Sequence, residues 1–355
     1  MLEGEEFLRT GFAAGREIAK MACRTGHGVA TLPGWEDVAD FDFHLDFGES
    51  SLVSIEKSGL GFKVAAVDGG SATLLDAGPF LVGARRTGYV VTDSACNTLF
   101  GPKTKTVVET FTLKEGGLTY RKAFAKACGR EPGKGYVELE KINERLRELE
   151  ELTAAKEAVL SLDEGDLLLI DGALGGDASK PDALFAELCE SASSRKVHIA
   201  GVSKSSNLNI GGFPLTRYVE RLGRKWLPGR AWFAEITKKG DGTRGEGALS
   251  HQFGPIYVAK LDGLSYDAFR IDISAGGGAD AGEVFGKLAR LCDDAAYPGY
   301  PYPLALAHNA VAFEPDDLSE LRSVVQRGAM EWGLLQDGWD ELFCGFHDIL
   351  DMNRW

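Results

Sequence analysis

Two stretches decide how this chain reads: VAAVDGGS at Val64–Ser71 and LLLIDGAL at Leu167–Leu174. Each runs an apolar strand into Asp-Gly. One such dipeptide is usually a turn, because Gly tolerates positive φ and Asp bonds to nearby backbone. Two of them at the carboxyl ends of apolar strands stand where α/β sheets place their ligands. If Asp68 and Asp171 lie on adjacent strands, their carboxylates converge. Hard oxygen donors of this kind favour Mg²⁺ or Mn²⁺, with no Cys cluster or His pair nearby to suit a softer ion.

Working outward, Lys63–Val67, Leu81–Val91 and Thr106–Thr112 read as strands, the second broken by Gly83 and Gly88. From Val137 to Ser161, Leu139, Ile142, Leu146, Leu149, Leu152, Ala155 and Val159 recur at three- and four-residue spacing, which predicts a long amphipathic helix. A buried strand follows at Asp166–Ile170, then a helix over Pro181–Ser193 and a strand over Lys196–Val202. Further strands are expected at Trp232–Ile236, Ile256–Leu261 and Phe269–Ile273, with helices over Ala281–Cys292 and after Glu314, where acids in the first turn suit the helix dipole. The sum is an α/β fold: a mixed sheet with helices against it. The last residues, DGWDELFCGFHDILDMNRW, form an amphipathic stretch expected to pack on the core.

The chain has 355 residues, 44% of them hydrophobic and 26% charged, an ordinary balance for a protein with a substantial core. No apolar run approaches the roughly 20 residues that span a bilayer, and the opening MLEGEEFLRTGFAAGREIAK lacks a basic start and an apolar core, so no secretory leader or membrane partner is expected. Six scattered cysteines without a Cys-x-x-Cys pair read as reduced thiols in a cytoplasmic protein. The net charge of −14 argues against nucleic acid as a partner, but the charge is uneven. Lys204–Arg244 holds nine basic residues against three acids, and Gly101–Gly135 holds eight against three. In the first of these, Arg217, Arg221, Arg224, Lys225 and Trp226 set cations beside an aromatic, a pattern that grips backbone phosphates and stacks on bases. With its GGFP, LPGR and KKGDGTRGEG turns, the stretch reads as an inserted loop or helical region at about 204–245.

Three more positions carry chemistry. The long helix supplies Glu148, Glu150 and Glu151 as candidates for a third carboxylate, and Glu151 lies beside the apolar stripe. In YPGYPYPLALAHNAVAF (Tyr297–Phe313), three prolines force an extended entry into a helix, so that Tyr300 and His308 frame one loop and helix and stand ready to contact a phosphate or move a proton. Lys204 ends a strand in GVSKSSN, placed to stabilise phosphate charge.

In order, AVDGGS, a helical Glu about twenty residues before LLLIDGAL, GVSKSS and GYPYPLALAHNA resemble the NurA family of archaeal and bacterial DNA nucleases. The likeness runs from Lys63 to Phe313, and its most specific part is the Tyr of Gly-Tyr-Pro followed eight residues later by the His of Ala-His, which Tyr300 and His308 reproduce. It implies an RNase H-like core over 61–313, between an N-terminal helical or extended segment (1–60) and a C-terminal helical segment (314–355). It also implies Mn²⁺-dependent exonuclease action on DNA with single-strand endonuclease activity, a homodimer, and a HerA-type hexameric ATPase as partner in processing DNA ends. Asp68, Glu151 and Asp171 become metal ligands, Tyr300 and His308 site residues, and Lys204 matches a lysine-bearing segment. The family usually shows Asp-Gly-Ser at both acidic sites, whereas this chain has Asp-Gly-Gly-Ser and Asp-Gly-Ala. Neither change removes a carboxylate, so metal binding is expected to survive.

Two other readings compete. An actin- or sugar-kinase-type ATPase also presents two Asp-Gly phosphate turns, with ISAGGGAD (Ile273–Asp280) as its candidate adenosine loop. A non-catalytic scaffold would keep the fold only to dock on a ring ATPase.

Overall fold

The computed structural model describes residues 10–19, 49–132, 137–174, 181–210, 213–236, 254–274 and 280–343. Among the described residues the main sheet has nine strands, and the chain divides into two compact units.

The first unit comprises Gly61–Ile170, Asp177–Ile199 and Pro303–Trp355. Its frame is an antiparallel meander of three long strands, β2 (Lys63–Asp76), β3 (Phe80–Asp93) and β4 (Thr98–Thr112). On the other side of β2 runs β5 (Leu167–Asp171), parallel, with Val64 opposite Leu167 and Val67 opposite Ile170. The Asp68-Gly69 dipeptide is no turn: β2 continues past it for seven more residues, to Asp76. Nor do Gly83 and Gly88 break β3, as the sequence suggests. An added Cβ at Gly83 would come 2.7 Å from the Asn143 side chain, and one at Gly88 would come 2.5 Å from the Lys103 carbonyl oxygen. These glycines let neighbours approach an unbroken strand.

Helix α1 (Gly116–Cys128) and helix α2 (Leu139–Val159) cover one face of the meander. The expected stripe of α2 is the buried one: Leu139, Ile142, Leu146 and Leu149 pack with Leu81, Phe111, Tyr120 and Phe124. Each such side chain contributes about 1.5–3 kcal/mol by leaving water. The opposite face receives α6 (Tyr302–Val311) and α7 (Pro315–Glu331), with Phe313, Leu318, Leu321 and Val325 against Leu74, Val82 and Ala84. Side chains of a strand alternate between faces, and β3 shows it directly: Arg85 bonds Glu150 on α2, whereas Arg86 bonds the Ala312 carbonyl and Asp317 on α7. Helix α3 (Asp182–Ser194) adds Leu184 to the α1–α2 side, and α8 (Gln336–Phe343) buries Trp339 and sets Phe343 edge-on to Phe80 at 5.9 Å. The tail thus packs on the core as far as Phe343, and residues 344–355 lie outside those described.

The second unit comprises Met1–Leu60, Asp171–Gly176 and Ala200–Tyr302. Here β6 (His198–Ser203) pairs with β11 (Phe269–Ile273), β11 with β10 (Ile256–Lys260), β10 with β9 (Trp232–Glu235) and β9 with β1 (Val53–Ser54), all antiparallel. A two-stranded ladder, β7 (Asn209–Ile210) with β8 (Phe213–Pro214), leads into α4 (Leu215–Trp226), and α5 (Ala281–Arg290) follows β11. The basic stretch is therefore not all loop. Leu215, Val219 and Gly223, four residues apart, press α4 against a core of Trp232, Ile236, Ile256 and Val258. Lys238, Lys239 and Arg244 and the KKGDGTRGEG turn lie outside the described residues, as do the central glycines of ISAGGGAD.

Candidate active site

Asp68 is 4% exposed on β2, and its Oδ1 accepts from the Gly69 N–H at 2.7 Å. Its Oδ2 lies 2.8 Å from Nδ1 of His308, whose side chain is half exposed on α6. The glycines after Asp68 explain the rest of the motif. At Gly70, on the same face as Asp68, a Cβ would come 2.5 Å from the carbonyl oxygen of Val311, at the end of the helix that carries His308. At Gly69, on the opposite face, a Cβ would collide with the Glu151 carboxylate and come 3.0 Å from Cγ of Arg147, both on α2. So α6 and α2 both seat on backbone where two consecutive side chains are missing.

The three glutamates on α2 separate cleanly. Glu148 pairs with Arg145, Glu150 with Arg85 deep under the sheet, and Glu151 with Arg147 against Gly69. Glu151 is thus the one beside Asp68 along the chain path, but it stands on the α2 face while the Asp68 carboxylate turns to α6. Arg147 also donates to the Gly69 carbonyl at 3.1 Å. Burial works against its charge, but Glu151 first, then Glu148, Asp68 and Glu144, outweigh that and raise the guanidinium above its ordinary pKa.

In the second unit, Asp171 ends β5 and the chain turns at Gly172, whose φ is +95° and whose N–H donates to the Val202 carbonyl at 2.9 Å. Both oxygens of Asp171 are held. The Tyr300 hydroxyl donates to Oδ1 and the Lys204 ammonium to Oδ2, each at 3.2 Å, and Lys204 lies 5.5 Å from the Tyr300 ring centre. The loop is fastened again at Leu174, whose N–H donates 3.1 Å to Asp272, a buried carboxylate gripped by Arg270 at 2.7 and 2.8 Å.

The sequence singled out Asp68, Asp171, Tyr300, His308 and Lys204, and the structure brings them together in two groups: Asp68 with His308, and Asp171 with Tyr300 and Lys204. It did not single out Arg147, Arg270 or Asp272. Arg147 carried a signal, an arginine four residues before the candidate glutamate. The other two are charges inside the apolar strand FRIDI, readable only as a pair on one face.

The basic residues of α4 are partly engaged with acids. Arg217 reaches Glu220 at 3.0 Å and Asp267 at 2.9 Å, and Arg224 reaches the same buried Glu220 at 3.4 Å. Arg221 is half-buried, and Trp226 packs on the hydrophobic cluster with the Lys225 ammonium 5.7 Å from its ring centre. Among the described residues, no helix is long and apolar enough to cross a membrane.

These features define a class: an α/β protein with one buried aspartate inside a long strand, bonded to a histidine, and a second aspartate that ends a shorter strand. The particular family follows from comparison, since the model of the NurA domain matches residues 62–313, and the chain belongs to the NurA family. The crystal structure of the NurA nuclease from Sulfolobus solfataricus has a similar fold, with a TM-score of 0.50 and 18% identity over 80% of this chain and 89% of that one. A second NurA crystal structure, 10% identical with a TM-score of 0.46, covers 78% of this chain and 90% of its own. No curated protein matches the sequence.

Proposed function

We propose that this chain is a metal-dependent deoxyribonuclease, a 5′–3′ exonuclease on single- and double-stranded DNA with single-strand endonuclease activity. The observation that carries the reading is the placement of Asp68 and Asp171. Each is the next residue after the paired positions Val67 and Ile170 of two adjacent parallel strands, and His308 is bonded to the first.

The donors fit a divalent ion. By family likeness we assign Asp68, Glu151 and Asp171 as the residues that would hold it, with Tyr300 and His308 as site residues beside them. Hard carboxylate donors of this kind suit Mn²⁺, and Mg²⁺ also. A divalent ion held there would supply Lewis-acid polarisation of the scissile phosphate and a more acidic attacking water. The chain's own groups do the rest. Asp68 orients the His308 ring through Nδ1, leaving its exposed edge toward solvent and DNA. Lys204 and Tyr300 fix the rotamer of Asp171, and Lys204 brings a positive charge for the phosphate. Family likeness supports a homodimer working in the cytoplasm with a HerA-like hexameric ATPase in DNA end resection and repair.

The test is cleavage of end-labelled single- and double-stranded linear DNA with Mn²⁺. Progressive shortening by the parent, falling to the metal-free level in Asp68→Ala and Asp171→Ala, is the expected result. An inert parent, with Mn²⁺ or Mg²⁺ and with the ring ATPase present, would sink the reading, and ATP turnover in its place would favour the kinase-type activity.

A further inference from the structure

The chain leaves β5 at Asp171 and at once lies down on β6. An added Cβ at Gly201 would come 2.6 Å from the Gly172 carbonyl oxygen and 2.8 Å from Cδ2 of Leu174, so the loop after Asp171 rests on bare backbone. Gly201 pairs in register with Asp272 of β11. There the loop meets a carboxylate. The Leu174 N–H donates to Oδ2 of Asp272 at 3.1 Å, while Arg270, two residues away on the same face of β11, donates to Oδ1 from Nε at 2.7 Å and to Oδ2 from Nη2 at 2.8 Å. Arg270 and Asp272 are only 8% and 4% exposed, inside an otherwise apolar strand. A buried ion pair recovers little beyond its own desolvation, and an apolar pair of similar volume serves stability as well or better. What an apolar pair cannot offer is a charge-assisted acceptor for a backbone N–H.

We propose that Asp272, held by Arg270, is a positioning residue for Asp171. It fastens the loop at Leu174, while the bond from the Gly172 N–H to the Val202 carbonyl fastens the near end, so that the Asp171 carboxylate stands where Tyr300 and Lys204 reach it. The proposal rests on the reading of Asp171 as a metal ligand and holds whichever other groups complete the site. Groups that orient a ligand without touching the ion typically govern roughly 10–100-fold of metal affinity. The guanidinium fork covers both oxygens of Asp272 and still leaves Oδ2 a lone pair for Leu174, which the point charge of an ammonium does less well.

The experiment measures Mn²⁺ affinity of the full chain by titration calorimetry, hydrogen exchange at the Leu174 amide by NMR, and melting temperature. The proteins compared are the parent, Asp171→Ala, the double variant Arg270→Met/Asp272→Leu, and Arg270→Lys. The parent is expected to bind Mn²⁺ and protect the Leu174 amide, and Asp171→Ala to lose the ion. The double variant should melt close to the parent, since the ion pair is replaced by apolar groups, yet exchange Leu174 faster and bind Mn²⁺ about tenfold more weakly. Arg270→Lys should fall between the two. A role confined to stability would move the melting temperature and leave the Mn²⁺ affinity of the folded variants at the parent's level. A parent that does not bind Mn²⁺, or an Asp171→Ala that binds it as tightly, overturns the metal reading and the positioning role with it. Binding that is lost in Asp171→Ala but unchanged in the folded double variant overturns the positioning role alone, as does a Leu174 amide that exchanges as freely in the parent as in the double variant. If the double variant does not fold, Arg270→Lys decides: an intermediate loss of affinity supports the role, and parent affinity overturns it.

Discussion

Gly70 is the third residue of the Asp-Gly-Gly-Ser motif, and the structure gives the reason for its size. A side chain there would press on the Val311 carbonyl 2.5 Å away and lift the helix end that carries His308. Gly70→Ala should therefore destabilise the fold by about 1–3 kcal/mol, the usual cost of overpacking, measured by urea unfolding, and lower Mn²⁺-dependent cleavage through a displaced His308. Asp68, Asp171 and His308 were legible in the sequence because each stands beside an unusual neighbour, a Gly after an apolar strand or a Pro-rich entry before a helix. Arg147, Arg270 and Asp272 were not, because an ion pair shows itself only once the turn of the helix or the alternation of the strand has set two side chains together. The sequence left Glu148, Glu150 and Glu151 open. Only the placement of Arg145, Arg85 and Arg147 separates them, and those contacts are tertiary.

Among the elements, α7 shows how the α6 side of the sheet is closed. Glu314 and Asp317 form a capping box at its start, and Asp317 also receives Arg86 of β3, whose guanidinium lies 4.6 Å from the Phe313 ring centre. The hydrogen bond from Arg86, followed by that from the Glu314 backbone, holds the Asp317 carboxyl below its ordinary pKa. A depressed folded-state value means stability that is present above the ordinary carboxyl value and lost as pH falls through the lowered one. The melting temperature of Asp317→Asn should accordingly lie below that of the parent at neutral pH, and the two should converge in acid. The long strands were the least legible elements. All of the first nine positions of β4 are exposed, so its residues Thr98–Thr106 carry no apolar alternation to read, and only the end from Thr106 onward was anticipated. Helix α4 was hidden for a different reason: its four buried positions include a glutamate and a glycine, the latter packed under Trp232, so the stripe looks too thin on paper.

For the whole molecule, the charge of −14 coexists with DNA as the proposed substrate because the cations are gathered locally. Their grip is unequal. Arg217 and Arg224 already serve the buried Glu220, whereas Lys225 is exposed. Removing a lysine that meets phosphate reduces the salt dependence of binding by about one unit of slope. Lys225→Ala should produce that change in DNA binding followed by fluorescence anisotropy across a salt series, and Arg217→Ala a smaller one. The division of β2 into two faces has a last consequence, for how such a chain can diverge. A strand that serves α6 with Asp68 and α2 with Gly69 counts in twos. Loss or gain of a single residue between Val64 and Val67 would exchange the two sides and turn the carboxylate toward Arg147 and Glu151. Length changes in descendants of this chain are thereby steered into its loops, and the short run from Val64 to Asp68 is preserved in number even where its apolar side chains are free to interchange.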